Sequence, residues 1–464
     1  MNSAVHWHTP SLAANDCRGL PVRQVDYLRR EAGATVQTLI TRQQHDDAGR
    51  LIAQWDPRLF GHAPKPNLGT VYRLSGEPVR VDSVDAGWRL NLAGVGGEVL
   101  GRWDQRGNHW RSTYDEQLRL IAVEENAVPN VERFTYANAS ASAGHNVRGQ
   151  MIEQVDPAGS LNIDGYSLGG QALSETRQFA DGSAYHSRRV FSALGVVLEQ
   201  TDAGNHQQLF RHDIAGQLMQ VQLRIDPASA VQGLITETHY TATGQLSEQH
   251  AGNGVVSRWA YDPADGLLTQ LQAGVPGRPL LQNLSYRYDR VGNVLAIDDQ
   301  AFAPVHFANQ RIDGRREFTY DALYQLTSAS GFETQTPHLR PGLPTPVTPI
   351  DNGQLYNYVQ RYEYDEGGNL TTLRHVRAGN NHTHTMRIDP ASNRAVRWAE
   401  GDPAPVFDDH FDAHGNLLSL RTGQPLIWNN RDQLAVPGWW NAAVGHTMKK
   451  PTSTARPSAS ANGW

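Results

Sequence analysis

The hydrophobic pattern along most of this chain has a period of two. In Tyr286-Arg287-Tyr288-Asp289-Arg290-Val291-Gly292-Asn293-Val294 aromatic and polar residues alternate, so Tyr286 and Tyr288 share one face of a strand. Asp289 is placed to accept hydrogen bonds from turn amides, and Gly292 supplies the positive φ that a tight turn needs. Asn293-Val294 then opens the return strand. The stretch reads strand, turn, strand.

The same unit recurs. FRHDIAGQL covers 210–218, HYTATGQL 239–246, WAYDPADGLL 259–268, FTYDALYQL 318–326 and YEYDEGGNL 362–370. Degraded copies stand at FDAHGNLLSL (411–420) and WNNRDQL (428–434), and an early one begins at His45-Asp46-Asp47-Ala48-Gly49-Arg50-Leu51. The aspartates of successive clear copies, Asp262, Asp289, Asp321 and Asp365, are 27, 32 and 44 residues apart. A constant core with variable insertions describes a repeat scaffold. A single hairpin is marginal alone, so successive hairpins are expected to pair edge to edge into one long sheet that curls to protect its edges. The expected fold class is all-β: a β-hairpin array forming part of a curled, hollow shell.

Coarser organisation follows. Residues 1–40 read as a lead segment, 41–434 as the repeat region, 334–353 as a Pro-rich loop within it, and 435–464 as a disordered tail. Residues 61–150 show strand-like pieces between Gly turns, and a short helix is expected around 168–180. With 43 Gly, 25 Pro and 39% hydrophobic residues in 464, the composition agrees with many turns and short strands. The formal net charge of −6 disfavours a nucleic-acid partner. The one cysteine, Cys17, allows no internal disulfide and no cysteine zinc site. MNSAVHWHTPSLAANDCRGL has neither a basic nor an apolar signal region, and no apolar run reaches 18 residues. The expectation is a chain made in the cytoplasm without a Sec signal and without direct membrane insertion.

In combination, DCRGLPVRQVDYLRR, TRQQHDDAGRLIAQWDPRLF, DSVDAGWRLNLAG, HDIAGQL, HAGNGVVSRWAYDP, YRYDRVGNV, YDALYQLTSASG and YEYDEGGNLTTLRH occur in this order over residues 15 to about 434. The unit [Y/F]-x-Y-D-x-x-G-x-L resembles the YD repeat of the RHS family. The ordered set resembles the N-terminal, shell-forming half of the C component of insecticidal Tc toxin complexes. That resemblance implies a non-enzymatic scaffold which, with a B component, encloses a toxic C-terminal segment until a pore-forming A component receives it. It implies release from the cell as part of that complex. The family's closing core and aspartyl self-cleavage site have no counterpart here. Asp56-Pro57, Asp156-Pro157, Asp226-Pro227, Asp262-Pro263, Asp389-Pro390 and Asp402-Pro403 lack that context, so no protease residue is carried over. The tail after residue 434 is unlike the repeat. A base-shifted back-translation of it contains a Tyr-x-Tyr unit, which leads us to expect a frameshift near residue 435 and a truncated product. A chain cut there is expected to be poorly soluble or oligomeric when expressed alone.

Four constellations invite chemistry. Gly165-Tyr166-Ser167-Leu168-Gly169 fits G-x-S-x-G, yet lacks the βα frame of a nucleophile elbow and reads as a turn. His382-Thr383-His384 offers half a metal site without a third ligand, in what reads as a polar loop. Asp408-Asp409-His410 reads as a solvated turn, and Gly94-Val95-Gly96-Gly97 lacks the Lys and Ser/Thr of a P-loop. No catalytic, cofactor or metal residue is therefore expected. The residues expected to matter are structural: Tyr261, Asp262, Tyr286, Tyr288, Asp289, Gly292, Tyr320, Asp321, Tyr362, Tyr364, Asp365 and Gly368. Their tyrosines favour packing between repeats over sugar stacking. Two alternatives stay open, a carbohydrate-binding or adhesion surface and a serine hydrolase using Ser167.

Overall fold

The computed structural model describes residues 5–334, 354–420 and 424–437. Strand follows strand, and each pairs antiparallel with its neighbours in sequence. Gln282–Tyr288, for example, pairs with Leu268–Gly274 on one side and Val294–Asp299 on the other. Among the described residues the result is a single 30-stranded sheet. Two small hairpins stand apart from it, Val305–Phe307 with Gln310–Ile312 and Leu426–Trp428 with Leu434–Pro437. Among the described residues, helix is limited to one 3₁₀ turn, Ala143–His145, and one turn of α-helix, Phe407–His410.

The strands are short because the turns are frequent, and most turns share one geometry. At Asp289 the backbone N–H bonds the Asn293 carbonyl at 2.9 Å, and the Gly292 N–H returns to the Asp289 carbonyl at 3.3 Å. Gly292 has φ of 94°. This is a three-residue hairpin loop closed by a left-handed bulge residue, and the ladder register slips at that point, between Arg287 and Tyr288.

One sheet layer cannot bury both faces. Strands such as Leu51–Trp55 and Met151–Asp156 are half-buried at every position. Complete burial occurs elsewhere. The largest fully buried side chains include Leu28, Leu59, Ile312, Asp321 and Ser392. Leu28, Asp321, Leu59 and Ser392 adjoin the places where the early wall meets the late repeats. Among the described residues no ladder joins the first strand, Ser11–Asn15, to the last strand of the sheet, Ala395–Trp398. The sheet is therefore not a closed barrel. It curls until loops of the first 130 residues meet turns some 300 residues later.

Several expectations need correction. The lead segment is not separate: Ser11–Asn15 and Pro21–Leu28 belong to the sheet, and residue 40 lies inside the strand Gln37–His45. The loose region 61–150 holds regular paired strands. In place of the helix at 168–180 a turn leads into the strand Ala172–Phe179, because its alternating residues pair with both flanking strands. The tail begins later than expected, since Leu434–Pro437 is a strand. The Pro-rich loop beyond Thr334 and the tail from residue 438 lie outside the described residues.

Candidate functional site

The repeat residues assemble into two continuous rows. In the first, turn aspartates organise the loops. Asp289 Oδ1 accepts the Val291 and Asn293 amides at 3.0 and 2.9 Å, and Oδ2 accepts Asn293 Nδ2 at 2.9 Å. Asp365 does the same with Gly367, Asn369 and Asn369 Nδ2, and Gly368 takes φ of 83°. Asp262 caps a loop one residue longer, its own N–H bonding the Leu267 carbonyl. Asp321 accepts Leu323 and Gln325 amides, but Gln325 replaces the asparagine, and Asp321 Oδ2 is buried without a partner.

Electrostatics follow from that difference. Burial alone would raise Asp289, but the Asn293 side chain and the turn amides outweigh it and hold the carboxyl below the usual range. Asp321 is pushed up, chiefly by burial.

The second row consists of tyrosines, and its bonding was not legible in the sequence. The tyrosine just before each turn donates its hydroxyl to the first residue of the previous hairpin's return strand. Tyr261 reaches the Leu246 carbonyl at 2.8 Å, Tyr288 Leu268 at 2.8 Å, Tyr320 Val294 at 2.9 Å and Tyr364 Leu326 at 2.9 Å. The acceptor is the final aliphatic residue of the preceding unit's own motif. Burial raises all four phenols, keeping them as neutral donors. The first tyrosines of the units do something else: the Tyr286 ring lies 6.4 Å from that of Tyr288, nearly parallel, and Tyr362 donates to Gln360 Oε1 at 2.6 Å.

A seam joins the two ends of the wall, and sequence reasoning missed it. Arg58 lies between late repeats: Nη1 donates to the Asp389 carbonyl at 2.7 Å, Nη2 to Asn393 Oδ1 at 2.9 Å, and Nε is 3.4 Å from Asp365 Oδ2. Asp85 accepts the Asn393 amide at 2.5 Å and Nδ2 at 3.1 Å. Arg30 donates to the Tyr364 carbonyl at 2.8 Å, and Ala322 N–H to the Arg29 carbonyl at 3.0 Å. Farther along, Arg106 binds Asp432 at 3.0 Å, Arg431 binds Glu125 at 2.9 Å and also Glu132, and buried His414 sits between Asp432 and Asp104. Between these contacts lies a cavity of about 940 Å³ lined by Lys65, Asp85, Arg394, Phe411 and Leu418 among others. No pattern of spacing signals such pairs. The only trace is arginine or aspartate in early loops where a bare turn would need none.

The constellations that invited chemistry are placed as follows. Ser167 occupies the turn position that aspartate holds elsewhere: its N–H bonds the Gln171 carbonyl, and its Oγ accepts the Gln171 amide at 3.2 Å. Its hydroxyl donates to Gln171 Oε1 at 2.7 Å rather than to an imidazole. The expected loop at 382–384 is instead the start of the strand His382–Ile388, pairing with His375 and its neighbours. Asp408, Asp409 and His410 lie in the α-helical turn Phe407–His410, and Gly94–Gly97 is one more hairpin loop. Among the described residues no three His, Cys, Asp or Glu side chains converge as metal ligands, and no helix is long and apolar enough to cross a membrane.

No family model matches the chain. It is 32% identical over 478 residues to the toxin subunit YenC1 of Yersinia entomophaga, covering 94% of this chain and 49% of that subunit. Toxin subunit YenC2 of the same organism is 32% identical, over 92% of this chain and 49% of its own length. The chain thus spans about half the length of the curated relatives it matches. Among solved structures, TcdB2–TccC3 without its hypervariable C-terminal region superposes with a TM-score of 0.85 at 33% identity, over 94% of this chain and 22% of that one. The same scores describe its match to the Photorhabdus luminescens Tc holotoxin pore.

Proposed function

Since this chain is a homologue of the C components of Tc toxin complexes, corresponding to an N-terminal part of them, we propose that it builds one wall of a hollow shell that sequesters a toxic segment. It is a toxin-complex component; the scaffold and encapsulation roles are our reading. The observation that carries this reading is the seam. A one-layer sheet whose first loops are held by its last turns encloses space instead of filling it, and both faces remain half-open along its length. The tyrosine row stiffens the wall, because the hairpins begun by Tyr261, Tyr288, Tyr320 and Tyr364 are each tied to the one before by a hydrogen bond additional to the ladder.

The partner in this reading is a B component, as the TcdB2–TccC3 structures pair the two in one assembly, and through it, indirectly, a pore-forming A component. The chain would be made in the cytoplasm and leave the cell with the complex. Neither alternative gains from the geometry. The tyrosines that a glycan would stack on are half-buried and hydrogen-bonded, and Ser167 serves as a turn residue.

The test is co-expression with a cognate B component, affinity capture and negative-stain microscopy. The expected result is a co-purifying, hollow, partly closed particle. A chain that is soluble and folded alone but never captured by the B component would overturn the scaffold reading and favour an independent binding protein.

A further inference from the structure

Four neighbouring strands near the end of the sheet bring together an imidazole row that the repeat does not use. His375, on Leu370–Arg377, stands opposite His382 in the ladder, with ring centroids 4.6 Å apart and planes 19° from parallel. His384 lies two residues along the same strand, its ring 4.8 Å from His382. Tyr358 closes the far side of His375 at 5.2 Å. Among the described residues the charged groups facing the row are Glu333, Arg377 and Arg397. Glu333 Oε1 contacts both His375 Nε2 at 3.1 Å and Arg377 Nε at 3.0 Å. Glu333 thus contacts one imidazole and one guanidinium, and among the described residues neither His382 nor His384 has a carboxylate of its own in contact.

The hydrogen bonds of His384 and His375 fit neutral rings. Arg397 can only donate, and its Nη2 lies on His384 Nδ1, so that nitrogen carries no proton. With the Gln360 amide donating to His375 Nδ1 at 3.3 Å, His375 donates its Nε2–H to Glu333. Burial, followed by His375 and Arg397, holds His382 below the ordinary imidazole range, and burial followed by Arg397 does the same to His384. Because His375 has both nitrogens engaged and Arg397 covers His384 Nδ1, the row is not set up to hold a metal. It is set up to respond to charge.

The strand His382–Ile388 leads directly into the turn that holds the seam, where Asp389 and Asn393 receive Arg58 and Asn393 engages Asp85. We propose that the row is an acid-operated catch: protonating His382 and His384 sets like charges against each other and against Arg397, loosens residues 382–398, and frees the early wall from the late repeats. Groups that bind protons more weakly in the folded chain stabilise it fully above the free imidazole value of 6.5 and lose that stability as pH falls below it. The catch is closed at neutral pH and opens in mild acid. It depends on this chain alone, so its test needs no B component.

The test is backbone amide exchange of the full chain at pH about 7.5 and about 5.5, corrected for intrinsic rates. Segments within 382–398 are expected to lose protection on the order of tenfold at the lower pH, the scale of like charges at this separation, while strands near 218–274 do not change. H382Q/H384Q should abolish the response. R397Q, at an exposed edge position, should weaken it by removing the adjacent cation. Equal protection of the wild type at both pH values would overturn the proposal, as would an acid response that survives H382Q/H384Q. Should the double variant not fold, an R397Q response identical to wild type overturns it as well.

Discussion

Arg58→Met removes the guanidinium that pins the early wall to the late repeats while keeping an aliphatic stem in its place. The Arg58 and Asp365 side chains are 12% and 16% exposed, so solvent screens this contact little. Four interactions disappear, to the Asp389 carbonyl, the Ser392 carbonyl, Asn393 Oδ1 and Asp365 Oδ2. Hydrogen bonds to a charged group are worth about 1.5–3 kcal/mol each, and they do not add when made by one side chain. Asp365 keeps its turn donors Gly367 and Asn369, so no carboxylate is left bare. The expected loss is therefore about 2–4 kcal/mol, well short of four full bonds. Arg80→Met is the control. Its pair with Asp82 is 45% and 41% exposed, and it should cost less than about 1 kcal/mol. Urea unfolding of both variants supplies the midpoints, and limited proteolysis reports cleavage in 389–394. If R58M unfolds at the same midpoint as R80M and is cut no faster, the seam does not hold the wall together and the argument for an enclosed interior fails.

Tyr288→Phe should destabilise by about 1 kcal/mol through the lost bond to the Leu268 carbonyl, whereas Tyr286→Phe should be near neutral, and urea midpoints separate the two. Equal effects would mean that ring packing alone matters. Ser167→Ala should cost about 0.5–1.5 kcal/mol as a lost turn bond, and Ser167→Asp should restore stability, because aspartate fills this position in sister turns; labelling of Ser167 by a fluorophosphonate would contradict the turn reading. Asp321→Asn keeps the oxygen that accepts Leu323 and Gln325 while removing a buried charge. Burial raises the Asp321 carboxyl above its ordinary 3.8, so the folded chain binds its proton more tightly and the wild type loses stability as pH rises through the window above 3.8. The stability difference between D321N and wild type should accordingly grow from pH about 4 to about 7, and a flat difference would exclude a buried ionised Asp321.

The period-two pattern, the Y-x-Y-D unit and the positive-φ glycines determined on their own that this chain is a string of antiparallel hairpins, since strand, turn and register all depend on residues within ten positions of one another. Asp289, Gly292, Asp365 and Gly368 were legible as turn residues for that reason. The misreadings share the opposite cause. Residues 172–179 lie in a strand because two flanking strands pair with them, and 382–384 begin a strand because His375 stands opposite. Neither neighbour is visible in a local window. The donor role of Tyr288 became readable only once Leu268 lay under its hydroxyl, and the exceptional burial of Asp321 only once the Arg29 carbonyl met the Ala322 amide and the His6 ring met Tyr324. Above all, the seam was decided by tertiary structure alone. How far a twisted sheet curls is a sum of small rotations over some thirty strands, and no single residue encodes where Arg58 will meet Asp389.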